Sequence, residues 1–486
     1  MRSCHGYHAD RVLTVRPRLR QLSRVLLTPM NPITRAHADS GARQTFQPLH
    51  LPRNNLEGST VTNSATLSSP YHVQTTADTL RNGFPYFTHH DSVSALWAKK
   101  WRTPCAAGIY PFTDANVADF DPIFAELVKT SNDDSGILYR PDDYAKPFLP
   151  VGQELAAKGG EAQSSGRSDE ARDLFLRAAA VYRIARFPIP RSPLGQQAWQ
   201  NGKAAYERGG ALLDPPSRSV AIPFNHVDVN AGDDDTPVEA YLRLPKGVPP
   251  KAGWPVLLFV CGLDAYRTDH TPRTQQHVDH GFATLSFEIP GTGDSPAAPN
   301  DPTSPDRLMS SVLDWVTSTA SQYNFDVKRV LARGISTGGY YAFRVAHTHA
   351  DRLFAVVAQG GGCHYMFSSE WIRAQDQMEY PFALAEALAY KFGYRDSNYD
   401  AAVASYAAEA SKFSLLNAGI VETSSCKLLV IDGMEDSIFP IEDNFIVATK
   451  GGKKDLVARG DRGHMGNPGA EEILYQWIDN AVAGKP

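Results

Sequence analysis

Residues 334–338 read Gly-Ile-Ser-Thr-Gly, a serine flanked two places away on either side by glycine. The apolar run Val330-Leu331-Ala332 leads into it, and a helical stretch over residues 339–347 follows. A hydroxyl is a weak nucleophile, so Ser336 needs an imidazole within hydrogen-bond reach and an acid to orient that imidazole. A GxSxG between strand and helix provides the sharp turn such a serine occupies, with small flanking residues and helix amides aimed at the site. The partners are expected later in the chain, acid before histidine. Residues 428–431 form an apolar run ending in Asp432-Gly433-Met434-Glu435-Asp436. Asp436 is the preferred acid; Asp432 reads as part of the strand end and Glu435 as solvent-facing. Gly463-His464-Met465-Gly466 precedes the last helix, over residues 471–482, so His464 is the expected base. Most other histidines precede Ser336 or lie on its helix (His347, His349). His364, beside Cys363, reads as a pocket-wall or core residue.

Attack on a carbonyl leaves a negative oxygen that needs amide donors placed beforehand. The Thr337 N–H is one candidate. The other lies in the loop Gly262-Leu263-Asp264 after the apolar run 256–261, with Leu263 preferred to Gly262 as donor. These groups need a scaffold that brings distant segments to one edge. Short apolar runs at 256–261, 283–288, 329–333, 353–359 and 427–431 alternate with helical stretches at 273–280, 305–321 and 339–347. That alternation predicts an α/β fold, a mostly parallel sheet covered on both faces. Strands at 221–229 and 238–244 precede it. Further upstream, residues 168–186 predict an amphipathic helix: Ser168 can cap it, Asp169 and Glu170 fall in its first turn, and Leu174, Ala178 and Val181 share a face. A second helix is expected over 194–212. The expected organisation is a basic leader (1–80), a helical N-terminal cap region (81–216) and a catalytic domain (217–486). A helical lid insertion at about 364–420 would lie over the carboxyl edge of the sheet, where ligands bind.

Across 486 residues, 48 Lys and Arg stand against 53 Asp and Glu, a net charge of −5. The signs are mixed along most of the chain, which argues against a nucleic-acid partner. Cys4, Cys105, Cys261, Cys363 and Cys426 form no CxxC pair, so neither a zinc site nor a disulfide framework is expected. The longest apolar run, 256–261, is too short to cross a bilayer. The first 35 residues carry seven arginines and one acid but no apolar core of signal-peptide length. Pro17 interrupts their only amphipathic stretch, 12–27, so a disordered leader is preferred to a mitochondrial presequence. The expected location is the cytoplasm or the surface of endosomal vesicles. The N-terminal helices are expected to cover the active site, to build a homodimer interface, or both.

With these residues in place, the chain resembles the fungal yellowish-green hydrolases of melanin biosynthesis, relatives of bacterial dihydropseudooxynicotine hydrolase. Residues 262–267 (GLDAYR), 288–295 (EIPGTGDS), 333–347 (RGISTGGYYAFRVAH) and 360–367 (GGGCHYMF) carry the likeness, which extends over roughly residues 80–484. The resemblance implies an α/β-hydrolase fold with a helical N-terminal region and a helical lid. It also implies an unusual reaction: a heptaketide naphthopyrone is shortened to tetrahydroxynaphthalene by retro-Claisen carbon–carbon cleavage through an acyl-serine, with no cofactor and no metal. An aromatic polyketide substrate implies an aromatic-lined pocket. Tyr266, Arg267, Tyr340, His364, Tyr365, Phe367 and Trp371 are candidates, each equally explicable by core or lid packing. Glu370 reads as a helix cap rather than an auxiliary acid, and Asp264 as a support of the oxyanion loop. The same triad would serve a carboxylesterase or thioesterase. A non-catalytic scaffold would have no use for the set.

Overall fold

Strands that must bury both faces read as unbroken apolar runs, and those runs become the centre of an eight-stranded sheet. The computed structural model describes residues 86–396 and 398–483; the leader expected over residues 1–80 lies outside them. Ahead of the sheet stand helices α1 (Val117–Ser131), α2 (Phe148–Ser164), α3 (Ser168–Ala185) and α4 (Pro193–Gly210). Ser168 is the first helical residue of α3 rather than its cap, a position taken by Arg167. Ser192 caps α4, its Oγ accepting from the Gly195 amide at 3.2 Å, and Pro193 occupies the first turn where no N–H is needed.

The sheet region runs β1 (Arg218–Ile222), β2 (Val238–Arg243), β3 (Trp254–Val260), α5 (Thr271–Asp279), β4 (Ala283–Phe287), α6 (Ser304–Ser318) and β5 (Phe325–Ile335). It continues with α7 (Thr337–Thr348), β6 (Ala355–Gln359), α8 (Leu384–Lys391), α9 (Tyr399–Glu409), β7 (Lys427–Gly433), α10 (Ile441–Thr449), β8 (Asp455–Arg459) and α11 (Ala470–Val482). Spatial order is β1-β2-β4-β3-β5-β6-β7-β8. The sheet is parallel from β4 to β8, and β1 and β2 are added antiparallel at one edge. Val260, Gly334 and Ala358 stand in register near the carboxyl ends of their strands, so the loops after them open on one edge. On one face Leu257, Leu331, Val357, Leu429 and Ile431 pack with Leu474 and Ile478 of α11.

Two elements depart from expectation. The first strand ends at Ile222 instead of continuing to 229, because Pro223 cannot donate to a ladder and Asp228 turns the chain by accepting from the Asn230 amide at 3.0 Å. β8 was not expected: it has five residues, an acid at one end and an arginine at the other, and one strand neighbour.

The chain before β1 and the insertion between β6 and β7 share one aromatic core. Trp97, Trp101, Phe112, Phe120, Phe124, Phe148 and Phe187 pack with Tyr380, Phe382 and Leu384 of the insertion. Trp101 stacks on Phe382 at 5.5 Å between ring centroids, and both are fully buried. Burying each such ring contributes roughly 1.5–3 kcal/mol, so the shared core fastens these two segments together. Among the described residues no helix is long and apolar enough to cross a membrane.

Candidate active site

β5 passes into α7 through Ser336, whose φ of 53° and ψ of −127° are unusual for a residue with a Cβ. The turn tolerates no bulk around the serine. A Cβ on Gly338 would sit 2.5 Å from the Val260 carbonyl oxygen, and one on Gly334 2.8 Å from the Ala342 Cβ. On the facing loop a Cβ on Gly262 would come to 3.4 Å from the Ser336 Cβ. The GxSxG spacing thus reflects backbone pressed against backbone where α7 meets β3. The Ser336 amide donates to the Gln359 carbonyl at 2.8 Å, tying the elbow to β6. Thr337 is the first residue of α7, so its amide has no acceptor within the helix. Neither it nor the Leu263 amide has an acceptor among the described residues.

His464 bridges the other two groups. Its Nε2 lies 2.9 Å from Ser336 Oγ and its Nδ1 2.8 Å from Asp436 Oδ2. The acid is aimed by its second oxygen, which accepts from the amides of Ile438 at 2.7 Å and Phe439 at 3.1 Å. This network assigns the imidazole an Nδ1–H that donates to Asp436 and an Nε2 free to accept the serine proton. The His464 side chain is 16% exposed and the Asp436 side chain 0%, so the base meets the cavity while its partner does not. Burial works to lower the His464 pKa, but the Asp436 carboxylate, aided by Glu379 and Asp264, more than offsets it. The net result is a pKa above the ordinary 6.5.

Two further acids build the surroundings, and neither role was foreseen. Asp432 is fully buried; its Oδ1 accepts from the amides of Gly433 at 2.8 Å and Met465 at 3.0 Å, and its Oδ2 from Asn444 Nδ2 at 2.8 Å. Met465, next to the base, has a φ of 64°, and the Asp432 bond holds it there. Burial, then the charge of Asp436, pushes the Asp432 carboxyl well above the usual carboxylate range. Asp443 accepts from the amides of Cys363, Tyr365 and Met366 at 2.9, 2.8 and 3.1 Å and so folds the start of the insertion. The signal for both lay in Glu442-Asp443-Asn444, a polar run in the first turn of a helix that is apolar from Phe445 to Ala448. Glu435 is exposed. Asp432, Asp436 and His464 bring ligand-type atoms within 4.8 Å of one another. Those atoms are already committed to the bonds above, a set suited to holding protons rather than a cation.

The candidate pocket residues divide. His364 and Tyr365 are part-exposed, and His364 Nδ1 lies 2.7 Å from Ser414 Oγ. Tyr340, Phe367 and Trp371 are buried: the Tyr340 hydroxyl donates to the Phe413 carbonyl at 2.8 Å, Phe367 packs on Phe392 and Phe413, and Trp371 Nε1 donates to the Ile438 carbonyl at 3.2 Å. Tyr266 and Arg267 are buried, and Tyr266 borders a cavity that it shares with Ile189, Thr292 and Gly293. Tyr266 lies under the Arg186 guanidinium, 3.9 Å from its ring centre, and meets the edge of Trp199. Arg267 pairs with Glu288 and, at 3.0 Å, with Asp294. A buried guanidinium must be paired to offset its lost hydration, and these two carboxylates do so for Arg267. Glu370 is exposed in the first turn of the short helix Ser369–Ala374, which Ser368 caps.

The sheet order, the elbow after β5 and the placement of acid and histidine on loops past β7 and β8 are those of an α/β-hydrolase. Within that class the chain belongs to the Esterase FrsA-like family, which it matches over residues 134–460. It is 26% identical over 347 residues to Esterase FrsA of Salmonella paratyphi B (strain ATCC BAA-1250 / SPB7), covering 69% of this chain and 76% of that protein, and equally so to Esterase FrsA of Salmonella newport (strain SL254). Among solved structures, 2,6-dihydroxy-pseudo-oxynicotine hydrolase superposes with a TM-score of 0.56 at 20% identity, over 70% of this chain and 90% of that one. AbyA5 does so with a TM-score of 0.50 at 20% identity, over 68% and 87%. At such identities these two share the fold.

Proposed function

We propose that the protein is a serine hydrolase that shortens an aromatic polyketide, converting a heptaketide naphthopyrone to tetrahydroxynaphthalene by retro-Claisen cleavage. The observation that carries the covalent route is the unbroken chain from Ser336 Oγ through His464 to Asp436, at 2.9 and 2.8 Å. The choice of substrate rests on the sequence likeness around residues 262–267, 288–295, 333–347 and 360–367. Ser336 Oγ adds to the side-chain ketone while His464 Nε2 takes its proton, and the amides of Thr337 and Leu263 receive the new oxyanion. Collapse of the intermediate breaks the bond to the ring carbon, whose electron pair is delocalised over neighbouring carbonyls and phenols. The imidazolium returns its proton to that carbon. Water, deprotonated by His464, then attacks the acyl-serine, releasing a carboxylic acid and restoring Ser336. The chain before β1 and the insertion between β6 and β7 act together as the cover that keeps bulk water from the carbanion.

The family favours a second reading, a carboxylesterase in which an alkoxide or phenoxide leaves instead of a carbanion. The acyl-serine is the same on both routes. Mixing the enzyme with a heptaketide naphthopyrone and following products and enzyme mass separates them. Tetrahydroxynaphthalene together with a transient acyl adduct on Ser336, both lost in Ser336→Ala, is the expected result. An intact naphthopyrone with rapid hydrolysis of aryl esters would select the esterase reading. Turnover surviving in Ser336→Ala would overturn both.

A further inference from the structure

Three distant segments meet beside the oxyanion loop. Asp264 follows Gly262-Leu263 directly, and its Oδ2 accepts a hydrogen bond from the hydroxyl of Tyr110, 154 residues earlier in the chain. The Tyr380 side chain, from the insertion, lies near enough to the Tyr110 hydroxyl to act on its ionisation. Asp264 and Tyr110 both keep part of their surface open, as do Leu263, Ser336 and His464. Asp264 is also close enough to His464 for its charge to help raise the imidazole pKa.

The loop does not need this carboxylate for its shape. Arg186 Nη1 donates to the Asp264 carbonyl at 3.1 Å, the Tyr266 amide to Asp269 at 2.8 Å, and the Arg267 amide to Glu288 at 2.9 Å. Enclosing a carboxylate with a phenol as its hydrogen-bonded side-chain partner, and no ion pair, costs stability, and burial raises its pKa against the pull of Arg183, Tyr110 and Arg186. The carboxylate is part-exposed two residues after Gly262, which packs against Ser336, so it stands where it can accept from a ligand. The leaving group must lie against His464 to collect its proton, which sets it next to Asp264.

We propose that Asp264, fixed by Tyr110 and Tyr380, binds a hydroxyl of the leaving group and so selects phenolic or enolic leaving groups over ones that cannot donate. The proposal rests on the acyl-serine reading of the site but not on carbon–carbon cleavage. The leaving ring of a polyketide would meet it as readily as the phenol of an aryl ester.

The test compares 2- and 3-hydroxyphenyl acetates with their methoxy counterparts, which match them in size and leaving-group strength but cannot donate. The expected kcat/KM ratio in favour of the better-fitting hydroxy ester is about 10- to 100-fold, the range of a hydrogen bond to a charged acceptor. In Asp264→Ala the ratio should collapse toward one, and in Tyr110→Phe, which leaves the carboxylate present but unfixed, it should fall to an intermediate value. The Tyr110→Phe arm keeps the test open if Asp264→Ala does not fold. A wild-type ratio near one, or variants in which both esters slow equally and the ratio stands, would reduce Asp264 to a support of the oxyanion loop and overturn the proposal. Whether the naphthopyrone is cleaved does not enter this ratio, so the two readings fail separately.

Discussion

Asp432→Asn is the substitution that most directly probes how the base is held. The wild-type carboxyl accepts through Oδ1 from the Gly433 and Met465 amides and through Oδ2 from Asn444 Nδ2. An asparagine keeps the Oδ1 acceptor. Its new NH2 can face Asn444 if that amide turns over, which is inexpensive because Asn444 Oδ1 has no hydrogen-bond partner among the described residues. The pH dependence carries the sharper expectation. In the unfolded chain Asp432 ionises near the ordinary 3.8, whereas in the fold it does so well above that. Between those values the folded protein holds one more proton than the unfolded one, so wild-type stability falls as pH rises, by up to about 1.4 kcal/mol per pH unit. Asparagine cannot ionise and escapes this loss. Urea denaturation at a series of pH values above about 4 should therefore find the variant gaining on wild type as pH rises. Its kcat/KM should stay within a few-fold. Asp432→Ala strands three buried donors, Gly433 N–H, Met465 N–H and Asn444 Nδ2, at roughly 1–3 kcal/mol each, and frees the residue next to His464, so activity should fall with stability. A stability difference flat in pH, or an Asn variant as inactive as the Ala variant, would refute a positioning Asp432 whose pKa is raised by the fold.

Two other outcomes follow from the geometry. Because His464 must be neutral to accept the serine proton and its pKa is raised, the acid limb of the kcat/KM profile should lie above pH 6.5; Asp436→Asn should move it to lower pH and cut kcat by about 10⁴-fold, as expected when the imidazole loses its orienting acid. Phe382→Ala should cost about 3–5 kcal/mol by thermal or urea unfolding, since Phe382 is fully buried and meets Trp101, Tyr144 and Phe187 at 5.5, 5.3 and 5.0 Å; a loss under 1 kcal/mol would mean the insertion does not depend on the chain before β1.

The elbow was readable in the sequence because its causes are local. Backbone crowding demands Gly334 and Gly338, and the strand before and helix after are both strongly patterned. The grouping of Asp436 and His464 with Ser336 was readable because a parallel sheet sends its strand ends to one edge, so chain order translates into position. Neither kind of reasoning reaches Asp264. Its partners Tyr110 and Tyr380 come from segments with no sheet register to place them, joined through a core of aromatic side chains whose contacts leave no periodic trace. β8 was missed for a related reason: five residues ending in Asp455 and Arg459 show no alternation, and an edge strand is not required to be apolar on both faces. Tyr266 and Arg267 looked like ligand contacts because they follow the oxyanion loop directly. Their burial is decided by Glu288, Asp294 and Arg186, residues that sequence distance does not connect to them.

The first turn of α10 links these observations. Asp443 turns its carboxylate to the amides at the start of the insertion, while the adjacent Asn444 reaches Asp432 and, through it, the Met465 amide beside the base. Trp371 of the insertion, for its part, donates to the carbonyl of Ile438, whose amide aims Asp436. The start of the insertion and the loops that carry the acid and base of the triad are thus fastened to the same short stretch, residues 436–444. An insertion joined only by apolar packing could slide over the site without disturbing the triad. This one cannot shift at Trp371 or at residues 363–366 without pulling on the bonds that aim the carboxylate and hold the histidine. The start of the insertion and the acid and base of the triad therefore depend on one shared set of hydrogen bonds.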